Sequence, residues 1–228
     1  MSVFFRRRKA SVFDDIFANN SWEAIIAACQ SRSVPDSWAV GDSKTMTING
    51  TDYQIDIIGK NHDNYTAGGK APLTFQMHDC YADTKNMNSS NINYYGWTDC
   101  TMRKKHLPAI LALMPTEVQN GIREVNKLTS AGEQSSTINT TADKLFLLSE
   151  IEIFGSVSYS KSGEGTQYDY YKAGNRKAKK YNGSATNWWE RSPRGSYSTG
   201  FCCVSSNGGA SGSFAASGSR GVAFCFCF

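Results

Sequence analysis

The sequence predicts an α/β domain built mostly on antiparallel sheet, preceded by a short helical extension. Three observations carry this. Asn49-Gly50 stands between two alternating runs, a strong hairpin signal because both turn positions need positive φ. The chain closes on Val222, Phe224, Phe226 and Phe228, large side chains at strand period that read as a buried strand. Trp22, Ile25, Ile26 and Cys29 fall at i, i+3, i+4 and i+7, one apolar stripe on a helix that Ser21 would cap.

Taken in order, residues 1–39 form the extension, and a helix at 22–30 could pack on the domain or on a partner subunit. Arg6, Arg7, Arg8 and Lys9 read as a solvated face, with an anchor to a larger assembly as the alternative. The domain occupies 40–228. Met46 and Ile48, then Tyr53, Ile55 and Ile57, supply the buried faces of the hairpin, and Leu73, Phe75 and Met77 repeat the alternation. Residues 86–97 are an Asn-rich loop ending in Tyr94, Tyr95 and Trp97, able to extend a binding surface. Residues 100–113 have a helical pattern that Pro108 would break or kink. Thr116 caps a second helix carrying Val118, Ile122 and Val125, and the Ser/Thr-rich 129–143 is a loop. Residues 144–148 form a short buried strand, and Ser149 with Glu152 makes a capping box. Residues 163–180 mix tyrosines with Arg176, Lys177, Lys179 and Lys180 and read as a surface loop.

The last forty residues change character. After Arg194 there is no Lys, Glu, Gln, Met or Trp. A strand at 201–206 would put Cys202, Val204 and Ser206 on one face and Phe201, Cys203 and Ser205 on the other. Residues 207–219 are small, polar and loop-like, with one exposed-looking aromatic, Phe214. Small residues with an occasional aromatic are what adaptable binding surfaces use.

Trp188-Trp189-Glu190-Arg191-Ser192-Pro193, then Phe201-Cys202, Val204, Ser206, Gly208 and Ala210, then Ser219-Arg220-Gly221-Val222-Ala223-Phe224 with Phe226-Cys227, resembles the variable proteins of diversity-generating retroelements, as found in phages and prophages of gut Firmicutes. The resemblance implies a C-type-lectin-like fold, similar to the phage major tropism determinant and to formylglycine-generating enzymes. It covers most of the chain and is most specific at 188–228 and 144–155. It also implies adenine-directed mutagenesis of Asn codons, which never yields the five residue types missing after Arg194. By that resemblance the ligand-binding, variable positions are Arg194, Ser196, Tyr197, Ser198, Thr199, Gly200, Cys203, Ser205, Asn207, Gly209, Ser211, Gly212, Ser213, Phe214 and Ser217. Cys203, Ser205, Asn207 and Gly209, spaced by two, would share one exposed face. Trp188, Trp189, Arg191, Cys202, Val204, Phe224 and Phe226 would be framework, and Tyr197 and Phe214 the chief contacts.

The expected function is recognition without chemistry: a phage tail-associated receptor-binding protein or adhesin, working in the virion or released by lysis. Its partners would be a bacterial surface protein or glycan and other virion proteins, with room for a homo-oligomer. A host cell-associated display protein and a structural virion protein are the rivals in the binding class. The enzyme rival is a copper oxidase of the formylglycine-generating type, using cysteines among Cys202, Cys203, Cys225 and Cys227. It is weakened because Cys203 occupies a variable position and Cys225 stands where relatives have a small residue.

Composition bounds these readings. The 228 residues are 40% hydrophobic and 12% aromatic, enough for one large domain. A net charge of +4, spread over short clusters, gives no basic stripe for nucleic acid. No secretory signal and no membrane-spanning run is expected. Seven cysteines, an odd number, leave at least one free thiol, and the plain reading of the set is small buried side chains. His62-Asp63 and His78-Asp79 lack metal-ligand spacing, so no metal, cofactor or catalytic residue is expected.

Overall fold

The computed structural model describes residues 13–228, the side chain of Ser213 excepted, and the basic run at 6–9 lies outside them. Helix α1 (Trp22–Gln30) starts where the Ser21 hydroxyl accepts the Ala24 N–H at 3.2 Å. Its Trp22 ring meets Phe75, Phe226 and Phe228 at centroid distances of 5.9, 6.5 and 6.0 Å. Phe17 and Trp38 join the same core. Residues 13–39 therefore pack on the domain, one of the two placements the sequence allowed for the helix.

Strands β1 (Ser43–Ile48) and β2 (Thr51–Lys60) form the expected hairpin, with Asn49 and Gly50 at φ 48° and 77°. Strand β3 (Leu73–Met77) is buried throughout. After α2 (Gly96–Asp99), a π turn over Met102–His106 leads into α3 (Leu107–Leu111). Pro108 cannot donate a backbone hydrogen bond, and the wider turn before it keeps the chain helical instead of broken. Helix α4 (Thr116–Gly121) is shorter than the pattern suggested, because Val125 already belongs to β4 (Val125–Ser130). That strand pairs with β5 (Ile138–Asp143), so a hairpin replaces most of the loop expected at 129–143.

Residues 145–148 are buried but contribute a single bridge, Phe146 to Cys225, rather than a strand. The capping box then opens α5 (Glu150–Phe154): the Ser149 N–H donates to Glu152 at 3.0 Å and the Glu152 N–H returns to the Ser149 hydroxyl at 3.3 Å. Instead of a surface loop, 163–180 contains α6 (Asp169–Lys172), with Tyr168 and Tyr171 buried, and runs into β6 (Lys179–Tyr181), which pairs with β7 (Ser184–Thr186). The chain finishes with β8 (Trp188–Pro193), β9 (Gly200–Val204), β10 (Ala210–Ala215) and β11 (Cys225–Cys227). Strand β10 lies where a small-residue loop was expected.

All strand pairs are antiparallel. The main sheet has the order β1-β2-β3-β11 and a second runs β10-β9-β8. Every residue from Val222 to Phe228 is buried, so both faces of the terminal strand are covered, not the aromatic face alone. Between the sheets sits an ionic core. The Lys127 ammonium bridges Asp63 and Glu152, each at 2.7 Å. The Arg191 guanidinium forks onto Glu152 and also donates to Thr129, Leu128, Leu147 and Glu164. Among the described residues, no helix is long and apolar enough to cross a membrane.

Candidate functional site

The exposed face is built by three loops that brace one another. Residues 194–199 connect β8 to β9. Asn93, fully buried, holds that loop: its side-chain amide donates to the carbonyls of Tyr197 and Gly200, both at 2.8 Å, and its backbone N–H donates to Ser198 at 2.8 Å. Gly96 follows at φ 54°, and a Cβ there would lie 2.2 Å from the Ser130 carbonyl, so the loop closes only with glycine.

The third loop, 157–160, is fixed from below by Glu150. The buried carboxylate accepts backbone N–H groups from Ser158, Tyr159 and Ser160 and the Ser160 hydroxyl, at 2.7 to 3.1 Å. The Gly195 N–H then donates to the Tyr159 carbonyl at 2.7 Å, which ties 194–199 to this loop. Arg194 donates to the Gly212 carbonyl at 2.6 Å while its guanidinium lies 4.2 Å from the centre of the Tyr197 ring. The Gly212 position abuts the Tyr159 ring.

These braces display aromatic side chains. Tyr95 is 65% exposed, Tyr197 54%, Tyr94 41% and Tyr159 38%, with Ile92 and Val157 beside them in the chain. Tyr95 also has φ 60° and ψ 8°, a left-handed conformation that an aromatic residue adopts only at a cost of about 1–2 kcal/mol. Strained backbone of this kind concentrates at functional positions.

Beneath the face lies a carboxyl group without partners. Glu190 is fully buried, and neither of its oxygens has a hydrogen bond. Burial, reinforced by Glu150 and Glu164, pushes its carboxyl well above the usual range. Burial likewise raises Glu164, although Ser192 and the Ser130 N–H bond to it. Asp63 moves the other way: burial opposes its charge, but Lys127, with the Thr74 hydroxyl and His62, outweighs that and holds it at about 2.

The expected variable positions divide under this geometry. Arg194, Ser196, Tyr197, Ser198 and Thr199 come together on the face, and Ser217 is exposed nearby through the Ala216–Thr199 backbone bond. The exposure expected of the set is corrected at Gly200, Cys203, Gly212 and Phe214. Gly200, Cys203 and Gly212 are buried: Cys203 lies in the middle strand of its sheet with both faces covered, and Gly200 would set a Cβ 2.4 Å from the Phe214 carbonyl. Ser205, Asn207 and Gly209 are not a strand face with Cys203 but a self-bonded turn, in which Ser205 meets Asn207 at 2.6 Å and Gly209 at 2.8 Å. That turn closes the hairpin at the end of the strand opposite Gly200, ~13 Å away along it. Ser211 is half-buried opposite Cys203, and the side chain of Ser213 lies outside the described set. Phe214 is half-buried, packed on the core and covered by the Arg220 guanidinium at 4.6 Å, so it is not an exposed contact.

Sequence reasoning missed Tyr159, Asn93, Glu150 and Glu190. Only Asn93 carried a signal, as part of the Asn-rich loop. The histidines are otherwise engaged: His78 meets Asp56 at 2.7 Å and His62 stacks on Tyr168 at 3.9 Å. Among the described residues no group of three or more His, Cys, Asp or Glu side chains is placed to hold a metal ion. All seven cysteines are buried and free, and burial raises each thiol, to about 12 for Cys29, Cys80 and Cys100.

Fold and face together define an α/β domain of antiparallel sheets that presents a braced tyrosine-rich loop surface. Residues 73–228 match the family described as a domain of unknown function (DUF6273), and the chain belongs to that family. No curated protein and no solved structure matches the chain significantly.

Proposed function

We propose that this protein recognises ligands through a C-terminal surface diversified by a retroelement, on a C-type-lectin-like fold, as a phage tail-associated receptor-binding protein or adhesin. The observation that carries this reading is the exposed tyrosine face on a hydrogen-bonded frame, with Tyr95 held in a strained conformation at its most exposed point. Rigid aromatic rings give contact area at low entropic cost, and the neighbouring Ser and Gly positions adapt to different ligands. The ligand would be a bacterial surface protein or glycan. A face this small binds modestly alone, so multivalent presentation would supply the avidity. The oxidase alternative would rest on Cys202, Cys203, Cys225 and Cys227, all four of which are fully buried.

Deep sequencing of this locus in a growing population tests the proposal. Substitutions are expected at Ser196, Tyr197, Ser198, Thr199, Asn207 and Ser217, and not at the packed Gly200, Cys203 and Gly212. A C-terminal segment that varies no more than the rest of the chain overturns it.

A further inference from the structure

We propose a second site, an anion-binding cleft where the end of α1 meets the 65–69 turn and the end of α4, taking a small ligand with phosphate or carboxylate groups. The cavity is about 880 Å³, within the range of small-molecule sites at roughly 300–1,000 Å³, and shares no residue with the tyrosine face. Arg32, Arg123 and Lys144 line it against a single acidic side chain, Glu124. None of the three cations has an ion-pair partner among the described residues. Phe228, Ile122 and the Tyr65 ring add an apolar wall. A smaller cavity of about 320 Å³ shares Glu124 and Lys144, but there Arg103 and Lys104 are already paired, with Asp143 at 2.5 Å and Asp99 at 3.4 Å. The larger cavity gathers all three unpaired cations, Arg32, Arg123 and Lys144.

Arg32 supplies the independent observation. Helix α1 ends in a Schellman motif, the Ser33 N–H returning to Ala28 at 2.9 Å and the Arg32 N–H to Cys29 at 3.2 Å. The residue in Arg32's position of that motif is usually glycine, because it must be left-handed. Here an arginine takes it, at φ 53°. Its guanidinium reaches across to the 65–69 turn, where a Cβ on Gly69 would lie 3.0 Å from Nη2. Burial raises the Tyr65 hydroxyl to about 12, and Arg32 and Arg123 both act electrostatically against that rise. A strained backbone thus holds a cation at the wall of a cleft whose three cations outnumber its one acidic side chain, and guanidinium forks match phosphate and carboxylate oxygens.

Calorimetric titration of the full chain with pyrophosphate and with citrate, at low ionic strength, tests the site. Binding tighter than about 1 mM is expected for at least one of them. Preference for pyrophosphate assigns a phosphate ligand, and preference for citrate a carboxylate. Arg32→Gly should weaken binding by about tenfold or more while raising the thermal midpoint, since glycine relieves the left-handed strain. Arg123→Gln, at an exposed side chain, should weaken it as well. The site is overturned if neither anion binds, or if both variants bind as tightly as the unaltered chain.

Discussion

Glu190 shows how one residue can govern stability without making a bond. Facing it are Glu150 from α5, Glu164 from the following loop, Arg191 from its own strand and the Cys202 and Cys203 thiols from β9. Only Arg191 favours its charge, and that guanidinium is committed to Glu152. The folded chain therefore keeps a proton that the unfolded chain releases near the ordinary value of 4.5. The stabilisation tied to this proton is complete below that pH and is lost as pH rises toward the folded value, at up to about 1.4 kcal/mol per pH unit. Glu190→Gln keeps the shape and removes the titration. Urea denaturation of both proteins from about pH 5 to 8 should give a flatter profile for the variant. Parallel profiles would mean that Glu190 does not hold the proton. None of this was legible in the sequence, where Glu190 stood only as a member of the Trp-Trp-Glu-Arg-Ser-Pro motif. Nor could the sequence reveal the positive φ of Arg32 and Tyr95, since residue type carries no sign of a conformation it disfavours.

At the level of elements, what the sequence disclosed was local chemistry. Asn49-Gly50 and the Ser149–Glu152 box act over four residues or fewer, and both stand in the structure as read. The hairpin of β4 and β5 escaped because its inward positions are polar: Val125 is followed by Lys127 and Thr129, and opposite them Thr141 and Asp143 point in. An alternation detector looks for apolar residues on the buried side and finds none where the core is ionic. Strand β10 escaped for a different reason, since its Ala, Ser and Gly side chains give no period and its pairing rests on the backbone. The braced face was partly legible: residues 194–199 were singled out, but their dependence on Asn93 was not. Asn93→Ala removes the short side-chain donations to the Tyr197 and Gly200 carbonyls and the carbonyl that accepts the Glu133 N–H at 3.0 Å. At about 1 kcal/mol net for each bond, stability should fall by about 2–3 kcal/mol. Amide exchange should quicken most at 194–200, whereas unchanged exchange there would show that the loop holds itself.

Across the whole molecule the four buried charges decide whether the pieces cohere. Asp63 comes from the turn after β2, Lys127 from β4, Glu152 from α5 and Arg191 from β8, so one network joins the main sheet, the polar hairpin and the strand that leads into the face. Burial opposes every one of these charges. Arg191 and Lys127 nevertheless keep Glu152 lowered, and Asp63 with Glu152 keeps Lys127 raised. Two acids and two bases balance, which is what makes the desolvation tolerable. Arg191→Met breaks the balance: it leaves Asp63 and Glu152 sharing one ammonium and strips donors from the Leu128, Leu147 and Glu164 carbonyls, a loss of about 3–5 kcal/mol. Adding Glu152→Gln restores neutrality, with Lys127 matched to Asp63 alone. The double variant should then be more stable than the sum of the two single losses allows, by about 1–3 kcal/mol of coupling in a chemical-denaturation cycle. Simple additivity would mean that the two side chains act through separate contacts, and that the face is supported by shape rather than by this charge network.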